Sequence, residues 1–212
     1  MPPLLNLAAW IECSEAEGPG KRFALWVQGC IRRCPGCCNP EMHPLVPRHL
    51  VAADEILRRI CEARGRHGIE GVTFVGGEPM LQAKGLASVA RGCQAEGLSV
   101  MTFTGYALEE LEQLRLPGAA ELIACSDIVV DGPYLQHLRD DSRNWVGSSN
   151  REFHFLTNRY HPGIEFDLVY RHVVEVRLGQ GATLHVNGDP EAIRILVSEP
   201  RRSGQTPRPR KQ

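Results

Sequence analysis

Short apolar runs alternate along the chain with longer stretches whose apolar residues recur every three or four positions. Phe23-Ala-Leu-Trp-Val-Gln28 is an apolar run closing on Gly29-Cys30, and it predicts a buried strand. Between Val51 and Arg64 the apolar residues fall at 53, 56, 57 and 60, one face of a helix. Val72-Thr-Phe-Val75 predicts a strand that stops at Gly76-Gly77. Leu86, Val89, Ala90 and Cys93 then mark a helix that Gly97 ends. Val100-Met-Thr-Phe-Thr104 is a further strand stopping at Gly105, and Leu108, Leu111 and Leu114 give a short helix. Ile128-Val-Val130 is a strand that runs into Asp131-Gly132-Pro133.

This alternation predicts α/β units on a mainly parallel sheet. Each of the strands ends in a glycine-containing loop that carries polar or sulfur groups. In barrel-like α/β folds the chemistry sits on the loops after the strand C-termini, so these loops are expected to face one rim. Beyond about residue 165 the texture changes. Val174, Val176 and Leu178 alternate, Gly179-Gln-Gly181 makes a turn, and Leu184 and Val186 alternate back. This predicts a small antiparallel β extension, with Ile193, Ile195 and Val197 as its third strand. The tail from Arg201 to Gln212 is basic, contains proline and lacks apolar residues, so disorder is expected. The expected division is a body over 1–165, an extension over 166–200 and a tail over 201–212.

The chain has 212 residues, 42% of them hydrophobic and 23% charged, which suits one globular domain with an appendage. A chain of this length buries about 70% of its unfolded surface and needs no disulfide staples. A formal net charge of −1 argues against a nucleic-acid or acidic-membrane footprint. Met1-Pro-Pro-Leu-Leu-Asn-Leu lacks a basic segment and a long apolar core, so no signal peptide is expected. No run approaches about 18 apolar residues, so no membrane span is expected either. Clustered thiols in a chain of this kind point to metal binding or catalysis in a reducing, cytoplasmic compartment.

Cys30, Cys34 and Cys37 stand in C-x3-C-x2-C spacing within one loop. A [4Fe–4S] cube needs four ligands, usually cysteine thiolates. Three thiolates leave one iron open to a ligand that is not protein, as catalytic zinc sites keep an open position. The competing reading is a closed structural zinc site with Cys38 or His43 as fourth ligand. Against it, zinc ribbons carry a second, distant cysteine pair, whereas Cys13, Cys61, Cys93 and Cys125 are scattered singly. Cys61 and Cys93 read as core residues of helices.

Cys30-x3-Cys34-x2-Cys37 after a strand, followed by Gly76-Gly77-Glu78-Pro79 at the next strand end, resembles the radical S-adenosylmethionine superfamily. The likeness is closest to the activating proteins of glycyl radical enzymes, of the anaerobic ribonucleotide reductase type. Gly18-Pro-Gly20, Cys34-Pro-Gly-Cys37-Cys-Asn-Pro-Glu41, Thr104-Gly-Tyr106, Val130-Asp-Gly-Pro133 and Gly147-Ser-Ser-Asn150 carry it further. The resemblance implies a partial (β/α) TIM-like barrel, a [4Fe–4S] cluster on Cys30, Cys34 and Cys37, and S-adenosylmethionine chelated to the free iron. It further implies that the backbone of Gly76, Gly77 and Pro79, with the Glu78 carboxylate, meets the amino group of S-adenosylmethionine. Gly36 and Cys38 would pack the adenine, with Thr104 and Asp131 near the ribose and methionine portions.

The chemistry implied is one-electron reduction of the cluster by a low-potential donor such as flavodoxin or ferredoxin. Homolysis of S-adenosylmethionine then gives a 5′-deoxyadenosyl radical that takes hydrogen from a glycine of a partner enzyme. No general base is needed, and no catalytic side chain is assigned. Hydrogen abstraction from another peptide or small molecule is the second reading, and a non-catalytic cluster or zinc module the third. Three features depart from the family pattern. Cys38 stands where relatives carry an apolar or aromatic residue, Arg151-Glu152 stands for a common Gln-Arg, and the extension over 166–200 is additional.

Overall fold

The structure, a computed structural model, describes residues 2–178 and 184–198. It is a mixed α/β fold built on one large sheet. The strands are β1 (Leu4–Ser14), β2 (Arg22–Val27), β3 (His49–Ala52), β4 (Gly71–Gly76), β5 (Ser99–Phe103), β6 (Ile128–Asp131) and β7 (Glu152–Phe155). Their order across the sheet is β3-β1-β2-β4-β5-β6-β7. The four central strands β2, β4, β5 and β6 are parallel neighbours, while β1, β3 and β7 run antiparallel at the sides. The expected loops therefore do leave one edge of the sheet together.

Strands buried on both faces read as continuous apolar runs. All six residues of β2 and all five of β5 are buried, which is why their sequences show no alternation. On one face Phe23, Leu25, Val72, Phe74 and Val100 pack against the helices α1 (Ala53–His67), α2 (Ala83–Ala95), α3 (Leu108–Leu114) and α4 (Ala119–Ala124). On the other face Met101, Phe103, Ile128 and Val130 pack under Val146, Trp145, Phe153 and Phe155. Arg22 is fully buried at the start of β2. Its guanidinium donates to Thr73 Oγ1, Ser99 Oγ, Tyr160 Oη and the carbonyls of Pro19 and Val72, so its polar capacity is taken up.

Strand β1 is absent from the sequence reading for a structural reason. Its pairing with β2 shifts register between Leu7 and Ala9 and again between Ile11 and Ser14. Such irregularities reset the inward-facing side and erase a period of two. Among the described residues no helix is long and apolar enough to cross a membrane.

The extension forms the hairpin β8 (Val174–Leu178) and β9 (Leu184–Gly188), as expected; the Gly179-Gln-Gly181 turn and the basic tail lie outside the described residues. The expected third strand is instead a helix, α5 (Pro190–Ser198). Asp189 Oδ1 accepts the Ala192 N–H at 2.8 Å, and Pro190 stands at the first helical position. An N-cap aspartate followed by proline starts a helix more strongly than three spaced apolar residues specify a strand. The hairpin docks on β1 through polar contacts. Glu175 accepts from Ser14 Oγ at 2.6 Å and the Glu15 N–H at 2.9 Å, Arg177 donates to the Cys13 carbonyl at 2.9 Å, and Asn187 donates to Glu17 at 3.0 Å.

Candidate functional site

The loop after β2 carries the three thiols and rests on the turn after β4. The Gly29 carbonyl accepts the Glu78 N–H at 2.9 Å, and the Gly77 N–H donates to the Val27 carbonyl at 2.8 Å. Backbone this close leaves no room for side chains. A Cβ at Gly77 would stand 2.3 Å from the Gly29 oxygen, and Gly76 adopts φ +108 with the Val27 nitrogen 2.6 Å from its would-be Cβ. The paired glycines are thus required by close approach as well as by a left-handed backbone.

Cys30 is buried, Cys34 and Cys37 are half-buried, and all three are free thiols. The Cys37 thiol is lowered to about 5 by the neighbouring Cys38 thiol, against the opposing effect of burial. The Asn39 N–H, 3.4 Å from its sulfur, and His43 act in the same direction. Burial pushes the Cys30 thiol up. A tetrahedral zinc with bonds of about 2.3 Å would need sulfurs about 3.8 Å apart. Among the described residues the one trio of metal-ligating atoms lying within 4.8 Å of one another is Asp131, Glu152 and His154, not the thiols. The three thiols are thus not gathered within 4.8 Å of one another.

A cavity of about 1770 Å³ opens above the C-terminal edge of the parallel strands. Cys30, Cys34, Gly36, Cys37 and Cys38 line it, as do Gly76, Gly77, Glu78, Pro79 and Thr104. Ten of the eleven residues singled out in the sequence thus meet at one cavity, whose apolar floor includes Trp26, Val75 and Phe103. Asp131 is the exception. It does not line the cavity, and its Oδ2 accepts the Leu108 N–H at 2.8 Å, capping the first turn of α3.

Glu78 lines the cavity but is 1% exposed, and its carboxylate is largely committed to the protein. Oε1 accepts from the Met80 N–H at 2.9 Å and from Thr104 Oγ1 at 2.8 Å, and Oε2 accepts from the Gly105 N–H at 2.8 Å. Burial pushes its carboxyl up, while these donors oppose the shift. It ties the end of β4 to the end of β5. A carboxylate has about four acceptor positions, so about one remains for a ligand.

Two groups of residues were not legible beforehand. His172, Arg177, His185 and Asn187 line the far end of the cavity because the hairpin folds back over β1; His172 and His185 read as surface or structural residues in the sequence. The second group is the set of partners made by the loop before β7, whose Gly147-Ser-Ser-Asn150 motif was visible in the sequence while its contacts were not. Asn150 donates to the Pro133 carbonyl at 2.7 Å, and Arg143 donates to the carbonyls of Arg151 and Ser148 at 2.8 and 3.1 Å.

Asp140 holds Arg143 at 2.6 Å and accepts from Ser142 N and Oγ at 2.8 and 2.6 Å. Burial would raise the Asp140 carboxyl, but these donors outweigh it and hold the group at about 2, below the ordinary 3.8. A carboxyl depressed on folding contributes stability above its unfolded pKa and loses it as pH falls through the folded one. Allowing for solvent at the loop surface, this is worth about 1 kcal/mol at neutral pH. Urea unfolding should therefore find Asp140→Asn less stable than the parent at pH 7. That gap is expected to close between about pH 4 and about pH 2.

Comparison with known proteins gives the family. Residues 16–154 match the family model described as 4Fe-4S single cluster domain. The chain is 30% identical to the anaerobic ribonucleoside-triphosphate reductase-activating protein of Escherichia coli (strain K12) over 159 residues, 72% of this chain and 99% of that protein. It is 29% identical to the protein of the same name from Vibrio cholerae, over 72% of this chain and 99% of that one. The pyruvate formate-lyase-activating enzyme of Clostridium pasteurianum is 30% identical over 65% of this chain and 55% of its own length.

Proposed function

The chain belongs to the family of 4Fe-4S single cluster domains that includes the anaerobic ribonucleoside-triphosphate reductase-activating proteins, and from there we propose that it installs a radical on a glycine of a partner enzyme. It is an enzyme of the radical S-adenosylmethionine type, with a [4Fe–4S] cluster and S-adenosylmethionine as cofactors.

The residues fit both groups. Cys30, Cys34 and Cys37 would hold the cluster, since they are free thiols on one loop at the cavity and include one whose ionisation its neighbours favour. The fourth position would be left to the amino and carboxylate groups of S-adenosylmethionine. Backbone carbonyls of Gly76 and Gly77, turned by Pro79, and the remaining lone pair of Glu78 would meet the amino group. Gly36 and Cys38 would pack the adenine, and Thr104 would lie beside the methionine portion. When bound, the pair supplies one electron to the sulfonium and a carbon radical able to take hydrogen from glycine. Trp26, Val75 and Phe103 keep water from that part of the cavity.

The observation that carries this reading is the meeting of three free thiols and the Gly76-Gly77 turn at one end of an oversized cavity. Ligand pockets commonly enclose about 300–1,000 Å³. The 1770 Å³ here leaves space beyond a single small ligand for a segment of a protein substrate. The parallel run β2-β4-β5-β6, flanked by β1 and β7, is read as a partial barrel around this cavity. Its body is read over 1–165 and the extension over 166–200, of which strands β8 and β9 line the far end of the cavity. A low-potential one-electron donor such as flavodoxin or ferredoxin is required.

The test is to mix anaerobically reconstituted, reduced protein with S-adenosylmethionine and candidate glycyl radical enzymes. The expected result is 5′-deoxyadenosine together with a glycyl doublet by electron paramagnetic resonance. Cleavage without a glycyl signal in any candidate would favour a different peptide or small-molecule substrate.

A further inference from the structure

Every charged side chain at the cavity can be asked what balances it. Arg32, Arg139, Arg143, Arg177 and Arg194 each have a carboxylate within 3.0 Å. Among the described residues Arg171 and Arg151 have none within 4.0 Å; Arg171 is exposed to water and donates to the Ser142 carbonyl, whereas Arg151 lies in the cavity wall beside Thr104. One of its terminal nitrogens donates to the carbonyls of Thr104 at 3.1 Å and Val130 at 3.4 Å. Its Nε is sealed from water and has no hydrogen-bond partner. The guanidinium lies 5.5 Å from the centre of the Phe103 ring, a further shield from solvent.

Arg22 shows what a purely structural buried arginine looks like in this fold, with acceptors on all three guanidinium nitrogens. Arg151 is built differently: two weak carbonyl contacts fix one nitrogen, and the rest of the fork is uncommitted. Arg151 is half-buried, but its Nε is closed to water, and a partly desolvated cation without a counter-ion is costly unless a ligand supplies the missing charge. Burial depresses the Arg151 guanidinium, and the charges that oppose this are Glu78, Cys38, Asp131 and Cys34. Neither the Glu78 nor the Asp131 carboxylate comes within 4.0 Å of the guanidinium, and Asp131 caps α3. The cysteine loop lines the same cavity as Arg151, so thiolates gathered there would supply the anion that it lacks.

We propose that Arg151 is the counter-cation of the thiolate-bound cluster and holds its reduction potential up, so that it acts as a positioning residue for the electron. The inference rests on the cluster assignment above. Three thiolates outweigh the positive core of the cluster, and reduction adds one more negative charge. A fixed cation in a poorly solvated wall stabilises the reduced form more than the oxidised one.

The test is the midpoint potential of Arg151→Gln and Arg151→Lys, titrated against the parent in anaerobically reconstituted protein without S-adenosylmethionine. Glutamine keeps a donor toward the Thr104 carbonyl but drops the charge, and lysine keeps the charge. Arg151→Gln is expected to lower the reduction constant about tenfold, about 59 mV for one electron, with lysine restoring most of it. Iron and sulfide analysis comes first. A parent chain that fails to load four irons would defeat the cluster assignment and the inference with it. A fully loaded Arg151→Gln at the parental potential would overturn the inference alone. So would an unchanged potential with weakened binding of S-adenosylmethionine, because the cation would then serve the ligand's carboxylate. Loss of the cluster in both variants would make Arg151 a structural residue, and that too would overturn it.

Discussion

Cys37→Ala is expected to fold, to hold no intact four-iron cluster, and to cleave S-adenosylmethionine at least about a thousandfold more slowly than the parent. The reason lies in the donor set. Cys37 offers a thiol whose ionisation Cys38, the Asn39 N–H and His43 favour against the effect of burial. Metal ligation requires the deprotonated sulfur, so removing this donor takes away one of three thiolates and the one that its neighbours help to ionise. With Cys30 and Cys34 alone, a second iron is left without a protein ligand beside the one already open. The same outcome is expected for Cys30→Ala and Cys34→Ala. Cys93→Ala sits at 0% exposure on α2 under the sheet and serves as the control for packing. It should cost about 1–2 kcal/mol of stability and leave iron content and cleavage intact. Iron analysis with product chromatography on the four variants checks both halves. Equal loss across all of them would mean that the ligands are misassigned.

Glu78→Ala is expected to be the most destabilising change near the site. The carboxylate receives two backbone N–H groups and one hydroxyl, all in a region closed to water. Truncation strands these donors, and each buried orphan costs about 1–3 kcal/mol. The sum, tempered by relaxation, is about 3–5 kcal/mol. Glu78→Gln keeps the shape and one acceptor oxygen but turns an amide NH₂ toward a donor, so it should lose roughly half as much. Urea midpoints at constant m-value separate the two variants. If Glu78→Ala unfolds within about 0.5 kcal/mol of the parent, the carboxylate does not tie β4 to β5.

How much of this was visible in the sequence depends on which signals are local. Strands β2, β4, β5 and β6 were legible because each is an apolar run that stops at a glycine-containing loop. Helices α1 and α2 were legible because their buried residues, Ile56, Ile60 and Ala63, then Leu86, Val89, Ala90 and Cys93, hold a helical spacing. Strand β1 was hidden by its register shifts, and β3 and β7 are four-residue strands at the sheet edges. Helix α4 spans six residues, too few to show a period. Helix α5 was misread because three apolar residues were weighed above the Asp189-Pro190 start signal.

The site divides in the same way. The cysteine spacing and the Gly76-Gly77 turn are contiguous motifs, so they could be found without coordinates. The partners of Glu78 come from Met80, Thr104 and Gly105, and no spacing rule reports that convergence. The carboxylate of Asp131 looked available because its capping bond runs to Leu108, 23 positions earlier. The hairpin's contribution to the cavity depends on Glu175, Arg177 and Asn187 reaching back about 160 to 175 positions to β1, a distance at which pattern reading has no purchase.

The most direct test of the open iron is Mössbauer spectroscopy of anaerobically reconstituted, ⁵⁷Fe-labelled protein, recorded with and without S-adenosylmethionine. One iron site in the four should change its parameters when S-adenosylmethionine is added, while the other three stay as they were. Four irons that are all indifferent to S-adenosylmethionine, or a chain that takes up zinc in place of a cluster, would contradict the account.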